Sequence, residues 1–364
     1  MRIADRTLRW TATAVAVATT VAALAGCGGG QTGHATATGP SGTIAFLLVR
    51  TSNIRYVAHD QPEFSERMLK LCPRCRVDVR YAEQDPKLQA QQVQQVLDEG
   101  AKVLVLNSAD AANAGPLATM ARNRHVPVIA YDRLVLGAPV DYYVSFDNYG
   151  AGVLQGKALL QAVQGKEGEV IWIDGPASDG NAGSFSAGAH SILDGKIKIA
   201  AKYQIPGPGW NADQAKAWMH QILPTLKGHN IIGVYSPIDP ISAPVVSELK
   251  AAGISPLPAV TGQDCDVAGM QRVMSGTQLM SLYKPFHLEA EKSAELAYDL
   301  LRGKPQTASQ TVDNKAGQIP SFLINPVTLT KDNIKDTVYK DGFVTKMALC
   351  SGQFADACKT IGVV

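Results

Sequence analysis

Short runs of β-branched and aromatic residues alternate with helical runs along almost the whole chain, and this rhythm limits the fold more than any single motif does. The β-like runs are "TIAFLLV", "VDVRYA", "KVLVLN", "PVIAYD", "YYVSFD", "EVIWID", "IKIAAKY", "IIGVYS", "PAVTG" and "QLMSLY", each followed by a helical stretch or a turn. Such alternation builds parallel sheets with helices on both faces. Helix ends are marked: Asp85-Pro86 supplies a cap and a first-turn proline to "KLQAQQVQQVLDEG", and Gly100 closes it; "PFHLEAEKSAELAYDLLRG" ends likewise at Gly303. More than ten strands exceed one comfortable sheet. The expected fold is therefore α/β, with two doubly wound parallel-sheet lobes divided after Asp147 and a cleft between them.

In a chain of 364 residues, the first ten contain Arg2, Arg6, Arg9 and Asp5, which leaves the remainder of a +2 protein neutral. A neutral body offers no polybasic surface, so nucleic acid is not an expected partner. The arginines precede "TATAVAVATTVAALAG", too short and too rich in Ala and Thr for a comfortable membrane span, which reads as a secretory signal over residues 1–26. Leu24-Ala25-Gly26-Cys27 resembles a bacterial lipobox, and that resemblance implies cleavage before Cys27 and lipid on its sulfur. Residues 27–42, rich in Gly, Thr and Ala, suit a flexible tether to the membrane. Export fits the remaining cysteines. Cys72 and Cys75 read as a structural disulfide or inert thiols, because they close a helical run instead of opening one after a strand; Cys350 and Cys358 would staple the tail, 349–364.

Open α/β sheets bind ligands beyond the carboxyl ends of their strands, and polar residues gather there. Arg50, Asn107, Asp132, Arg133, Asp147, Asp174, Asp239, Asp264 and Lys284 all stand at or just past the end of an apolar run. Carboxylates, amides and guanidinium groups can each hold two hydroxyls at once, so a ring of them suits a polyol. Each taken singly also reads as a turn residue or helix cap. Catalysis has little support. Cys265 lies between Asp264 and Asp266 without a local base, His287 and Glu291 make a lone pair on a charged helix, and no nucleophile elbow occurs. No metal or cofactor is implied. Asp266 reads as a helix cap and Cys265 as a small buried filler.

The chain also resembles the periplasmic sugar-binding proteins of ABC importers, most closely the D-xylose-binding branch. The resemblance runs from about Thr43 to Lys346 and rests on "AYDRLVLGAPVDYYVSFDN", "GQDCDVAGMQRVMSGTQLMSLYKP" and "NIKDTVYKDGF". It implies sugar contacts from Arg133, Asp264 and Lys284, and from Arg55 and Tyr56, where the branch has an aromatic tryptophan. Asn181 and Asp239 occupy two further positions where the branch holds its ligand, though Asp179-Gly180-Asn181 lacks one amide and Ser236-Pro237-Ile238-Asp239 lacks an asparagine. Trp210 could stack on a sugar's C–H face or anchor its loop. The resemblance further implies a three-segment hinge, with a first lobe of 43–147 plus 284–312 and a second of 148–283 plus 313–348. Its implied partners are a monosaccharide, a permease with its ATPase, and the membrane through the lipid. A receptor that signals to a chemoreceptor or kinase would share all these features. The lac-repressor-type regulators have the same lobes but place a DNA-binding domain first, where this chain has the Cys27 tetrad.

If Cys27 carries the lipid, Cys27→Ser is expected to abolish incorporation of labelled palmitate in a bacterial host; label persisting in the variant would contradict the reading.

Overall fold

The computed structural model describes residues 39–363; Cys27, the tetrad that ends in it and the tether up to residue 38 lie outside the described residues. The first lobe is built on a seven-stranded sheet. Its strands are β1 (Gly42–Leu48), β2 (Cys75–Tyr81), β3 (Val103–Leu106), β4 (Val128–Tyr131), β5 (Tyr142–Phe146), β11 (Gln310–Asp313) and β12 (Gln318–Ile324), in the order β11-β12-β5-β4-β3-β1-β2. All neighbours are parallel except β11 and β12.

Alternate residues of β1 enter different cores, which is why the strand reads as an unbroken apolar run. Ala45 and Leu47 pack with α2 (Pro86–Asp98) and α3 (Gly115–Asn123) through Val93, Leu97 and Ala118. Phe46 and Leu48 pack with α1 (Gln61–Leu71) and α9 (Phe286–Leu301) through Phe64, Met68 and Ala294. Complete burial of each large side chain contributes about 1.5–3 kcal/mol.

The second lobe repeats the plan on four parallel strands, β7-β6-β8-β9, comprising β6 (Glu169–Asp174), β7 (Ile199–Gln204), β8 (Ile231–Tyr235) and β9 (Ala259–Val260). Ile171 and Ile173 face α6 (Ala212–Ile222) and α7 (Asp239–Ala251), while Trp172 faces α4 (Asn148–Val163) and α5 (Gly180–Leu193). Helices α4 and α5 meet through glycines. A Cβ on Gly152 would lie 2.0 Å from the Phe185 carbonyl oxygen, and one on Gly188 would lie 2.1 Å from that of Tyr149.

Three crossings join the lobes: β5 to α4 at Asp147, β10 (Ser281–Tyr283) to α9 at Lys284 and Pro285, and β12 to β13 (Val327–Leu329) at Asn325 and Pro326. Two of them touch, as Asp147 N donates to Ile324 O at 2.9 Å. The third crossing corrects the boundary expected at 312/313. "FLINPVTL" is not one segment of the second lobe: Phe322–Ile324 pair in parallel with Val144–Phe146 in the first-lobe sheet, and Val327–Leu329 pair antiparallel with β10 in a separate ribbon. Pro326 between them offers no amide to continue a ladder.

The C-terminal segment folds back on α8 (Val267–Met274), with Leu349, Cys358 and Val363 buried beside Met270 and Met274. Cys350–Cys358 closes this segment, Cys72–Cys75 bridges the end of α1 and the start of β2, and Cys265 is free and buried.

Gly152→Ala is expected to lower stability by about 3 kcal/mol in a urea titration, because the added methyl meets backbone that cannot yield. A loss below about 1 kcal/mol would show that α4 and α5 can separate at little cost.

Candidate functional site

Both sheets point their strand ends at one cavity of about 510 Å³ between the lobes. The structure places Arg55, Tyr56, Arg133, Asn181, Trp210, Asp264 and Lys284 together in its wall, and adds Arg50, His59, Asp132, Asp179, Gln263 and the rings of Phe185, Phe286 and Phe343. A roomier groove of about 1000 Å³ lies at the other end of the second-lobe sheet, where its strands begin. Its buried carboxylate, Glu248, already pairs with His220 at 3.1 Å, and it gathers no facing set of buried polar groups from two lobes. Convergent polar groups favour the interlobe cavity.

On the first-lobe side, Arg55 is held almost completely by protein. Its Nε and one Nη donate to Asp60 at 3.1 Å, the other Nη donates to Asp132 at 3.2 Å, and Glu289 takes a further bond. The guanidinium lies 4.3 Å over the Phe286 ring. Asp132 also accepts from Tyr56 Oη and Asn107 Nδ2, each at 2.9 Å. Burial alone would raise the Asp132 carboxyl, but Arg55, Arg133 and Lys284 outweigh it and hold the group below the usual carboxylate range. Burial prevails at Glu289, which is pushed well up despite Arg55.

The second lobe presents Asp179 and Asn181 at the start of α5, Trp210 before α6, and Asp264 after β9. Asp264 has φ +85° and Cys265 φ +53°; across the cleft Asp132 has φ +59°. Left-handed backbone is unfavourable for such residues and persists where its surroundings impose it, often at binding sites. Lys284 Nζ stands 3.2 Å from Asp264 Oδ1, close enough for attraction but outside hydrogen-bond geometry. Arg50 Nε, Arg133 Nε, Gln263 Oε1 and Asp264 Oδ1 are buried without a hydrogen-bond partner among the described residues. Buried polar atoms of this kind cost free energy until something pairs with them.

Asp266 caps α8 by accepting from Gly269 N. The Cys265 thiol is buried, and that burial pushes its pKa well up, so it is a poor nucleophile. Among the described residues no cluster of His, Cys, Asp or Glu could hold a metal.

Asp239 departs from expectation. It is fully buried behind the wall, where Gln278 Nε2 and Ser281 Oγ each donate to its carboxylate at 2.7 Å; Ile238 and Pro240 face the cavity in its place. The backbone turn that starts α7 directs the aspartate inward. Burial, with the Asp266 charge nearby, raises its pKa to about 8.

Two similar lobes, three crossings and a polar cavity between the sheets define a two-lobed binding protein. The chain belongs to the periplasmic binding protein family, whose domain profile matches residues 44–305. It is 35% identical over 273 residues to the D-xylose-binding periplasmic protein of Escherichia coli K12, covering 74% of this chain and 81% of that protein. It is 32% identical over 291 residues to the multiple sugar-binding periplasmic protein of Azospirillum brasilense, covering 74% and 82%. An ABC transporter solute-binding protein from Clostridium phytofermentans, solved with bound β-D-glucose, matches with a TM-score of 0.76 at 26% identity over 84% of this chain and 99% of that one. The protein is a binder and not an enzyme.

The Asp239 environment sets a pH dependence. A carboxyl with a folded pKa near 8 and an unfolded value near 4 binds its proton more tightly when folded, so stability falls as pH rises between those values. Asp239→Asn is expected to flatten the stability curve between about pH 4 and pH 8; an unchanged slope would show that other groups carry it.

Proposed function

We propose that this chain binds a monosaccharide, D-xylose in preference to other aldoses, in the interlobe cavity, and delivers it to an ABC permease from a lipid anchor on Cys27. The observation that carries the reading is the composition of one cavity wall. Charged and amide groups from both lobes stand beside aromatic faces, while several buried polar atoms there have no hydrogen-bond partner among the described residues. A pyranose satisfies both kinds of surface. Its hydroxyls pair with carboxylate, guanidinium and amide groups, and its C–H faces pack on rings such as Trp210 and Phe185. Asp264 accepts from two adjacent hydroxyls, Lys284 and Arg133 donate, and Asn181 contributes an amide.

The choice of xylose rests on the relatives from Escherichia coli and Haemophilus influenzae, both D-xylose-binding proteins, and on the wall near Asp239. Ile238 and Pro240 present an apolar surface there. That surface suits the ring methylene of a pentopyranose better than the hydroxymethyl arm of a hexose.

Ligand binding closes the cleft only through its greater affinity for the closed state. Contacts to both lobes supply that difference, and exclusion of water strengthens each charged hydrogen bond. A closed, loaded protein is then the form a permease would accept.

Calorimetric titration of the purified protein with D-xylose, D-glucose, L-arabinose, D-ribose and xylitol tests the reading. Xylose is expected to bind most tightly. Asp264→Ala is expected to weaken it about a hundredfold, since two bonds to a charged acceptor contribute about 3 kcal/mol together. Binding of none of the five, or an Asp264→Ala protein with unchanged affinity, would overturn the reading.

A further inference from the structure

The parallel strands of the first-lobe sheet end at the cavity, so their starts lie together at the far end of that lobe. The chain enters the lobe at this far end. Gly39, Pro40 and Ser41 lead into β1, and Pro40 O lies 3.2 Å from Cys72 Sγ at the close of α1. Lys102 N donates to Thr43 O at 2.8 Å, and a Cβ on Gly42 would lie 2.9 Å from Lys102 Cγ and 3.4 Å from Leu301 at the end of α9. Leu104 N donates to Pro127 O at 2.9 Å, which brings the loop after α3 beside the start of β3. One surface therefore gathers the ends of α1, α2, α3 and α9 around the point of entry.

Overall neutrality does not mean an even spread of charge. On this surface Asp98, Glu99 and Asp299 pair with Arg124, Arg80 and Arg302. Arg74, Lys102, Arg122 and Lys304 are exposed and make no ion pair among the described residues. Leu69, on the last turn of α1 at the same end, is 61% exposed. We infer that this surface rests on a bilayer with anionic headgroups. The inference rests on the proposed lipid at Cys27, which would keep the body near a bilayer, and adds which face turns towards it. Residues 27–38 reach about 43 Å at most when fully extended, and they join the lobe here, so these cations are the ones held next to the headgroups. Unpaired cations attract anionic headgroups within a Debye length, and an exposed leucine among them enters the boundary with the acyl chains. Lys166, Lys196, Lys198 and Lys227 also make no ion pair among the described residues, but they stand at the strand starts of the second lobe, at the opposite end of the molecule. The sugar cavity, at the other end of β1, is then held clear of the headgroups by the height of one sheet.

Vesicle flotation tests the inference on the chain from residue 27 onward carrying Cys27→Ser, which lacks the lipid but keeps the whole compact unit of residues 39–364. Vesicles of equal phosphatidylglycerol and phosphatidylcholine are compared with vesicles of phosphatidylcholine alone. Binding is expected on the anionic vesicles only, and is expected to vanish in about 1 M salt, where the Debye length is about 3 Å. Arg74→Gln, Lys102→Gln, Arg122→Gln and Lys304→Gln together are expected to weaken it more than about tenfold. The same change at Lys166, Lys196, Lys198 and Lys227 is expected to leave it close to the parent value. Both variants are expected to keep the parent's melting temperature, since the altered side chains are exposed. Equal binding to the two kinds of vesicle would overturn the inference, as would an equal loss from the second-lobe substitutions. Palmitate labelling of the full chain decides the anchor separately: binding through the four cations in a chain that takes no lipid would leave the surface standing and the anchor refuted.

Discussion

A parallel sheet covered by helices on both faces can offer polar chemistry only at its ends, and this constraint shapes the whole molecule. The inward residues of β1 and β6 are spent on cores on both sides, so neither sheet has a face free for a ligand. What remains are the loops beyond each strand, where Arg50, Asp132, Asp179 and Asp264 emerge. With two sheets turned end to end, those loops confront each other across a cavity. The hinge follows from the same economy of connection: two of the three crossings lie side by side and share a hydrogen bond between Asp147 and Ile324.

Gathering so many charges in a closed space is costly unless they compensate one another. Here Arg55 is surrounded by Asp60, Asp132 and Glu289, and Asp132 is in turn approached by Arg133 and Lys284. The outcome differs from group to group. Asp132 sits among three cations and stays ionised, whereas Glu289 and Asp239, more deeply enclosed, are pushed towards the protonated form. Most of this network is internally satisfied and acts as a rigid floor. The groups with bonds to spare, Arg133 and Asp264, stand above it in opposite lobes.

Much of this was legible in the sequence because its causes are local. Strand and helix alternation, the Asp85 and Asp266 caps, and the polar residues at strand ends all follow from patterns within a few residues. The readings that changed depend on long-range packing. Asp239 stands at a strand end like its neighbours, but Gln278 and Ser281, some forty residues away in the chain, draw it behind the wall. "FLINPVTL" looks like one apolar stretch, and only pairing with β5 and β10 divides it between sheets. Asp179 caps α5, and nothing local to it points to its ion pair with Arg133 across the cleft. Phe343 comes from a segment distant from every strand end, and its place in the wall, stacked 4.8 Å from His59, is a product of the tertiary fold.

The proposed function requires one sugar to be held between the lobes by groups from both. A crystal structure of the protein grown with D-xylose tests it most directly. A single pyranose is expected in the interlobe cavity, with Asp264 and Arg133 each within about 3 Å of its hydroxyls and an aromatic ring against its C–H face. Sugar bound to one lobe alone, or located outside the cavity while Asp264 and Arg133 remain unpaired, would contradict it.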